Sequence, residues 1–347
     1  MAKRYRRKKR KNRAAQRRAA ARRLIRRVEA VLAVLVTAAS VVISVWGGQY
    51  GIPTWTQLYL KAGLTNASPT LAAGVSSHEP TKIHFIDVGQ GDAVLIEQDG
   101  AFALIDCGTE ACEAALLAYL DQLGVTELRL LVMTHPHADH IGSMDAVLRS
   151  VRVEQLWLPQ LDLASVYPTG GAFERVLAAA EEGGVSVRQA QAGDALALGS
   201  GTLTVVGTGV ASDNYNNISL CLRFEAGSFS FLDTGDAEKE VEQALLESGA
   251  KLSATVFKAA HHGSGTSNTL EFLSAVRPKA VVVSCGLNNE YGHPHQEALD
   301  HYALVGSSVY RTDAMGSVVV GYAPESGMKV YAARGVQEET QETEAAA

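Results

Sequence analysis

Four side chains that commonly bind metal ions lie within one stretch of six residues. They are His135, His137, Asp139 and His140. Imidazole nitrogens and carboxylate oxygens are good ligands for Zn²⁺ and similar divalent cations. The alternating spacing lets the first two side chains point one way and the last two another. The pattern therefore favours two neighbouring cations over one.

Two later segments add ligands of the same kinds. Asp236 follows an apolar run and a turn, and its carboxylate can bridge two cations. His261 and His262 follow a second apolar run that ends at Lys258. Because ligands at the ends of successive strands lie at one edge of a sheet, we predict a single shared site.

The segments between these residues alternate between strand and helix patterns. Short apolar runs at 83–88, 93–97 and 102–105 indicate strands, and 114–123 has helical spacing. The continuous apolar run 128–133 leads directly into the first histidines. So many strands cannot be covered by one layer of helices. The sequence predicts an α/β sandwich of four layers, with two sheets face to face and helices outside.

Composition and charge narrow the class of protein. The chain has 347 residues, of which 47% are apolar and 20% are charged, and this excludes disorder of the whole chain and a small disulfide scaffold. Of the 31 Lys and Arg residues, 15 lie in residues 1–27, which contain no acid. The rest of the chain carries 16 basic and 37 acidic residues, a net charge of −21. A basic head thus precedes an acidic body.

An uncharged apolar stretch follows the basic head. Residues 30–46 would span about 25 Å as a helix, the short end of a membrane crossing. We predict a transmembrane helix at 28–47, with the polybasic segment 1–27 in the cytoplasm and the rest of the chain on the other side. A cleaved signal peptide is the alternative. The remaining predicted parts are a linker at 48–80, a folded domain at 81–332 and an acidic flexible tail at 333–347.

The four cysteines leave two alternatives open. Cys107 and Cys112 are near enough in sequence to form a disulfide across a loop. Alternatively these two, with Cys221 and Cys285, are buried free thiols. Their spacing does not indicate a zinc site made of thiolates.

Taken together, the motifs resemble the metallo-β-lactamase superfamily, an αββα sandwich of hydrolases. Within it, the chain is most similar to the hydrolase domain of ComEC-type competence proteins, over about residues 81–332. The motifs that carry the resemblance are the His135–His140 segment, Gly235-Asp236, and the segments 85–92, 104–108, 261–264, 291–295 and 311–317. With the predicted anchor, we expect a hydrolase domain outside the cytoplasm, held by one span at a bacterial cell membrane.

The resemblance also implies a ligand set for two divalent cations, Zn²⁺ or Mn²⁺. One cation would be held by His135, His137 and Asp236, and the other by Asp139, His140, Asp236 and His261. Many relatives place one more histidine between the first motif and Gly-Asp, where this chain has none, so the first site is one protein ligand short. The residues expected to support the ligands or to face the substrate are Asp87, Asp106, Asn217, Ser219, His262 and His295.

A two-metal site sets the expected mechanism. Paired cations lower the pKa of a water toward about 7, so that the water attacks an acyl carbon or a phosphorus. Asp139 could orient that water, and Lys258 could stabilise charge on the leaving group. His293 or His295 could protonate the leaving group. Packing of the loop around Pro294 is the alternative for His293.

The resemblance implies a phosphodiester substrate, with DNA as one class. The net charge of −21 outside the basic head argues partly against a polyanion, because nucleic-acid binding usually relies on a basic surface. We therefore expect a phosphodiesterase or nuclease, with a small phosphocholine-type ester or a lactone as the alternative substrate. A metal-stabilised DNA-handling module without catalysis is the non-enzymatic alternative. The sequence does not identify a protein partner.

Overall fold

The computed structural model describes residues 71, 72, 74, 75, 78–161, 171–210 and 212–334. The predicted polybasic segment 1–27, the predicted transmembrane helix 28–47 and positions 335–347 of the predicted tail lie outside these residues. Among the helices that are described, none combines the length and the apolar character that a membrane crossing requires.

Seventeen strands are present in the described part of the chain, the first beginning at Thr81 and the last ending at Ala332. In chain order they are β1 (Thr81–Phe85), β2 (Val94–Gln98), β3 (Ala101–Ile105), β4 (Glu127–Leu128), β5 (Leu130–Val132), β6 (Arg152–Val153), β7 (Gln155–Leu158), β8 (Ser186–Gln189), β9 (Ala195–Leu198), β10 (Gly201–Gly207), β11 (Cys221–Ala226), β12 (Phe229–Asp233), β13 (Val256–Lys258), β14 (Ala280–Val283), β15 (Ser308–Arg311), β16 (Val318–Ala323) and β17 (Gly327–Ala332).

The strands form two large sheets and one small one. The first sheet has the order β17-β16-β1-β2-β3-β5-β7-β8, and the second has the order β15-β14-β13-β12-β11-β10-β9. The small sheet pairs β4 with β6. In the first sheet β3, β5, β7 and β8 run parallel, and in the second β12 to β15 do so. Parallel neighbours need crossover connections, and most of the helices lie in these connections.

Alternating side chains along the strands fill the space between the two large sheets. In β1, Ile83 and Phe85 belong to the core between the sheets, whereas Lys82 and His84 lie on the outer face. Phe85 meets Phe231 of β12 edge to face, with ring centroids 5.6 Å apart. Burial of these apolar side chains is the main contribution that holds the sheets together.

Helices cover the outer face of each large sheet. Those described are α1 (Glu113–Gln122), α2 (Ala138–Ile141), α3 (Met144–Ser150), α4 (Ala172–Glu182), α5 (Lys239–Ser248), α6 (Leu270–Val276), α7 (Gln296–Leu304) and α8 (Thr312–Met315). Leu116 of α1 and Val147 of α3 are buried in the outer core of the first sheet. Val241 of α5 and Phe272 of α6 are buried in that of the second. The predicted sandwich of four layers is confirmed.

The segments that were predicted to bind metal follow strands of the parallel parts and meet at one edge. The first histidine segment follows β5, Asp236 follows β12 and His261 follows β13. A backbone hydrogen bond from Leu220 N to Thr134 O, 3.0 Å long, joins the loop before β11 to the loop after β5. Loops from both sheets therefore enclose one space.

Part of the predicted linker packs on the folded domain. Ala72 is buried against Val319 and Tyr331, on the outer face of the first sheet. The Tyr331 hydroxyl donates a hydrogen bond to Glu79 Oε1 at 2.5 Å. The chain thus contacts the sandwich before β1 begins.

All four cysteines are buried free thiols, which decides between the two alternatives left open by the sequence. Cys112 Sγ donates to Thr109 O at 2.9 Å instead of bonding to Cys107. Burial raises the pKa of both thiols, so they are uncharged at neutral pH.

Candidate metal centre

The carboxylate of Asp236 lies at the centre of the converging loops. It is buried, and the Nε2 atoms of four histidines surround its Oδ2 atom. The distances are 3.3 Å from His140, 3.6 Å from His262, 3.8 Å from His261 and 3.9 Å from His135. One carboxylate among four imidazoles is an arrangement that suits cation binding.

A glycine lets the Asp236 loop approach its neighbours. Gly235 has a φ of +56°, in the left-handed region that favours glycine. A Cβ there would lie 2.9 Å from Thr134 Cβ and 3.0 Å from Ser219 Oγ. The backbone N–H of Asp236 donates to Ser219 Oγ at 3.2 Å. The sequence predicts that Ser219 supports the ligands, and the structure places its hydroxyl against the backbone of Asp236.

Asp106 orients His140. Its Oδ2 atom lies 2.7 Å from His140 Nδ1 and also accepts a 2.6 Å hydrogen bond from Thr134 Oγ1. The bond fixes the imidazole ring and leaves His140 Nε2 directed at Asp236. An outer carboxylate that orients a ligating histidine is common in metal sites. The sequence predicts a supporting role for Asp106, and the structure places its carboxylate against His140.

His140 and Asp236 shift each other's pKa in opposite directions. Burial would lower the pKa of His140, but Asp236 and Asp106 outweigh burial and raise it well above its ordinary value. Burial would raise the pKa of Asp236, yet His140 and His262 hold it well below its usual range. The carboxylate at the centre is therefore charged at neutral pH.

His135 and His137 form the second part of the cluster. His135 is fully buried, and its Nε2 atom lies 3.0 Å from His137 Nδ1. Burial lowers the pKa of His135 well below its ordinary value, so this ring is neutral and can present a lone pair. His137 lines the adjoining cavity.

The two histidines after β13 both reach the cluster. His261 and His262 have φ values of 50° and 55°, a left-handed conformation that few residues other than glycine adopt. Such strain persists only when the surrounding structure enforces it. Here Asn268 does so, because its side chain accepts from Ala260 N and donates to Ala260 O, each at 3.0 Å.

The ring of His262 is more deeply buried in the cluster than the ring of His261. His262 Nε2 lies 3.3 Å from Asp139 Oδ2, its Nδ1 lies 3.0 Å from Ser284 O, and the ring is buried. The His261 side chain is 22% exposed, and its Nδ1 lies 3.2 Å from Thr266 Oγ1. The sequence assigns the ligand role to His261 alone. The structure brings both rings to Asp236.

Sequence reasoning missed Asp92, which lies beneath the histidines. Asp92 Oδ2 forms a buried ion pair with Lys258 Nζ at 2.6 Å, and Asp92 Oδ1 lies 3.7 Å from His262 Nδ1. The buried aspartates raise the pKa of Lys258 against the effect of burial. This pairing places the ammonium outside the cavity lining, where it holds loops together rather than contacting a leaving group. The signal for Asp92 was its place in the Gly91-Asp92 turn after β1.

Three of the other predicted residues hold loops in place. Asn217 Oδ1 accepts a hydrogen bond from Glu238 N at 3.0 Å, next to Asp236. His295 Nδ1 accepts from Gly265 N at 2.9 Å, which ties the loop before α7 to the loop after β13. Asp87 lies apart from the cluster, paired with Arg334 at 3.2 Å.

A cavity of about 340 Å³ opens beside the cluster. Its lining consists of Gln90, Pro136, His137, Ala138, Asp139, Tyr215, Asn216, Asp236, His261, His262, Tyr291 and His293. Burial and the neighbouring His262 and His261 lower the pKa of His293 to about 4, so its ring is neutral at pH 7. The sequence predicts His293 as a candidate proton donor, and a neutral imidazole is a weaker donor than an imidazolium. The tyrosines of the lining were not predicted.

The donor set fits a divalent cation. Buried polar atoms without a hydrogen-bond partner in the described structure include His140 Nε2, His262 Nε2 and Asp236 Oδ1. Asp92, His140, Asp236 and His262 each offer one ligand atom, and these four atoms lie within 4.8 Å of one another. Buried polar groups are normally satisfied, and a divalent cation would satisfy nitrogen and carboxylate oxygen atoms that converge in this way.

The sequence of this chain matches known proteins. The sequence profile described as "Metallo-beta-lactamase superfamily" matches residues 86–286. ComE operon protein 3 of Bacillus subtilis (strain 168) is 32% identical over 266 residues, which cover 71% of this chain and 34% of that protein. Competence protein ComA of Neisseria gonorrhoeae is 28% identical over 272 residues, which cover 75% of this chain and 36% of that protein. The chain thus matches about a third of the length of these curated relatives.

One solved structure also matches part of this chain. The metallo-beta-lactamase fold protein YhfI from Bacillus subtilis is 15% identical to this chain, with a TM-score of 0.45. The alignment covers 67% of this chain and 96% of that one.

Proposed function

Because the chain belongs to the metallo-β-lactamase superfamily of metal-dependent hydrolases, we propose that it hydrolyses phosphodiesters and that DNA is among its substrates. The resemblance drawn from the motifs is confirmed, both for the superfamily and for the ComEC-type relatives. The observation that carries the proposal is the buried Asp236 carboxylate among four histidines, beside an open cavity.

Two groups of side chains would hold two divalent cations, Zn²⁺ or Mn²⁺. The first consists of His135, His137 and Asp236, and the second of Asp139, His140, Asp236 and either His261 or His262. When bound, such cations polarise a phosphoryl group and lower the pKa of water toward about 7. Asp106 fixes the ring of His140, and Ser219 holds Asp236 through its backbone N–H.

The chain's own residues can position the reacting groups. Asp139 lines the cavity, and although burial would raise its pKa, His140 and His262 hold it well below its usual range. A charged carboxylate there can accept a hydrogen bond from an attacking water and orient it. The neutral ring of His293 can donate or accept a hydrogen bond at the substrate's oxygens.

The choice of phosphodiester as substrate rests on the relatives. One of them is named competence protein ComA and another ComE operon protein 3, and the resemblance to ComEC-type hydrolase domains implies a phosphodiester substrate. The acidic body and the limited cavity favour a second candidate, a small phosphodiester such as a phosphocholine-type ester, because a long polyanion is repelled by a net charge of −21. A lactone is a weaker alternative.

We also propose that residues 28–47 anchor the chain in a bacterial cell membrane. The polybasic segment 1–27 would lie at the inner leaflet, and the hydrolase domain would lie outside the cytoplasm. The uncharged apolar stretch and the fifteen preceding basic residues support this topology.

An activity screen of the full chain tests the proposed function. Purified protein is stripped with EDTA, reloaded with Mn²⁺ or Zn²⁺, and assayed on single-stranded DNA, duplex DNA, bis(4-nitrophenyl) phosphate, a phosphocholine ester and a lactone. We expect metal-dependent cleavage of DNA and of the aryl diester. Cleavage of the phosphocholine ester alone would support the second candidate. Metal binding without cleavage of any substrate would show a binding module instead.

A further inference from the structure

An exposed tyrosine lies at the rim of the candidate site. Large apolar side chains that are exposed in the described structure are Val187, Leu287, Tyr291 and Leu304. Tyr291 is 57% exposed, yet it also lines the cavity beside the histidine cluster. A tyrosine ring that is exposed and also lines a cavity presents apolar surface to a ligand in that cavity, while its hydroxyl stays in contact with water.

Tyr291 continues a stack of rings that begins inside the cluster. Its ring lies 5.6 Å from the ring of His293, with an angle of 21° between the planes. The ring of His293 lies 6.1 Å from that of His262, with an angle of 30°. His262 reaches Asp236. Nearly parallel rings therefore lead from the cavity rim to the candidate metal centre.

The loop that carries Tyr291 is held firmly. Asn289 Nδ2 donates to Gly286 O at 2.9 Å and to His293 O at 2.7 Å, so its side chain crosses the loop. Gly286 N donates to Gln90 Oε1 at 3.0 Å, which joins the loop to the turn after β1. A ring held by such a loop loses little further freedom when a ligand stacks on it.

The side chains that line the cavity offer little electrostatic attraction to a polyanion. None of the described residues in the lining is Lys or Arg, and two of them, Asp139 and Asp236, are carboxylates. The proposed cations would attract the phosphodiester that is cleaved, but they do not contact the flanking nucleotides. For those nucleotides, stacking of bases on aromatic rings is the remaining major source of affinity, and it contributes about 1–3 kcal/mol per base.

We propose that Tyr291 stacks on an unpaired nucleobase of the substrate, next to the phosphodiester that is cleaved. The inference rests on the proposed phosphodiesterase function and names its substrate class as single-stranded nucleic acid and unpaired ends. In a duplex each base is already stacked and paired, so the Tyr291 ring at the cavity rim can contact a base only after that base has left the duplex stack. A flat exposed face suits a planar base better than a quaternary ammonium group, which usually binds within a cage of several rings.

Kinetics on matched substrates test the stacking. We expect Tyr291→Ala to raise KM for a single-stranded oligonucleotide about tenfold or more, with little change in kcat. Tyr291→Phe keeps the ring and should restore the wild-type KM. On the same oligonucleotide with an abasic site beside the cleaved bond, Tyr291→Ala should have no further effect. An equal rise in KM on both substrates, or no rise on either, would overturn the proposal.

Binding separates this inference from the proposed function. The full chain is titrated into a single-stranded oligonucleotide that contains 2-aminopurine, whose fluorescence is quenched by stacking, with Leu304→Ala as a control at an exposed position that does not line the cavity. Quenching by wild type and Leu304→Ala, but not by Tyr291→Ala, supports the stacking even if no DNA is cleaved. DNA cleavage with equal quenching by all three proteins would overturn the stacking and leave the proposed function standing. Competition by phosphocholine but not by a nucleoside monophosphate would also overturn it.

Discussion

Two groups of histidine and carboxylate side chains in the described part of the chain differ in how their charges are matched. One is the Asp236 cluster at the sheet edge. The other, on the outer face of the first sheet, consists of Lys82, His84, Glu97 and Tyr119. There Lys82 Nζ lies 2.7 Å from Glu97 Oε1, and His84 Nδ1 lies 3.0 Å from the Tyr119 hydroxyl.

The pKa shifts of the histidines in the two groups run in opposite directions. Burial lowers the pKa of His84, and the nearby Glu97, which is shared with Lys82, does not reverse this. The pKa of His140 is raised, because Asp236 and Asp106 outweigh burial. Around His140, two buried carboxylates, Asp236 and Asp106, favour a positive charge. Around His84, the one carboxylate, Glu97, is paired with Lys82. This excess of negative charge distinguishes the candidate metal centre from the other group. Such an excess attracts a cation.

Removing the charge of Asp236 should reduce hydrolysis far more than the matched change in the other group. Asp236→Asn keeps the shape of the side chain and removes the central charge. We expect it to lower the rate of metal-dependent hydrolysis more than about 100-fold, which exceeds the roughly 10–100-fold loss that is usual when a residue supporting a metal ligand is changed. Glu97→Gln is the matched change in the other group, and should leave kcat within about twofold. Steady-state assays at saturating Mn²⁺ measure both. Comparable losses in the two variants would contradict the distinction.

A smaller effect is expected from the residue that orients His140. Asp106→Asn removes the charged partner of His140 Nδ1, and we expect metal affinity to fall about 10–100-fold. Calorimetric titration of the EDTA-treated protein with Zn²⁺ measures the change. Asp87→Asn serves as a control, since Asp87 is paired with Arg334 outside the cluster. An affinity for Zn²⁺ that is unchanged in Asp106→Asn would show that this carboxylate has only a structural role.

The smallest effect concerns the stability of the other group. Because the folded-state pKa of His84 is lowered below its ordinary 6.5, the unfolded chain binds a proton that the folded chain does not, between these two pKa values. The free energy of unfolding should therefore fall as pH drops below about 6.5, with a slope of at most about 1.4 kcal/mol per pH unit from this group. The charged and titratable groups that face His84 are Lys82, Glu97 and Tyr119. The variant His84→Gln keeps these neighbours and removes the titrating imidazole, so the difference from wild type gives the contribution of His84 to the pH dependence.

Denaturant unfolding of wild type and His84→Gln across pH 5 to 8 measures this difference. The wild type should lose more stability than the variant as the pH falls. Parallel curves would mean that His84 does not stay neutral in the folded protein.

The sequence predicted the parts of the candidate site that depend on local pattern. The segment His135–His140 and the Gly235-Asp236 turn each follow a strand that is easily recognised from its apolar residues. The carboxyl ends of parallel strands meet at one edge of a sheet, so these segments are expected to lie close together. The αββα layers follow from the same alternation of strands and helices. These features need no knowledge of distant contacts.

Other features depend on contacts between distant segments. Asp92 and Lys258 are far apart in sequence, and only their buried ion pair shows that the ammonium lies beneath the cluster. The left-handed turn that brings both His261 and His262 to Asp236 depends on the side chain of Asn268. A periodic sequence pattern does not predict such a turn, because it occurs once and is held by tertiary contacts.

The number of metal ions bound to the purified chain shows whether the Asp236 cluster is a metal centre. Inductively coupled plasma mass spectrometry on the full chain and on Asp236→Asn, each incubated with Mn²⁺ or Zn²⁺ and then dialysed, counts the bound cations. We expect about two divalent cations per wild-type chain and a loss of most of them in the variant, because Asp236 Oδ2 lies within 4 Å of a nitrogen of each of four histidines, His135, His140, His261 and His262. Equal metal content in the two proteins, or none in the wild type, would contradict it.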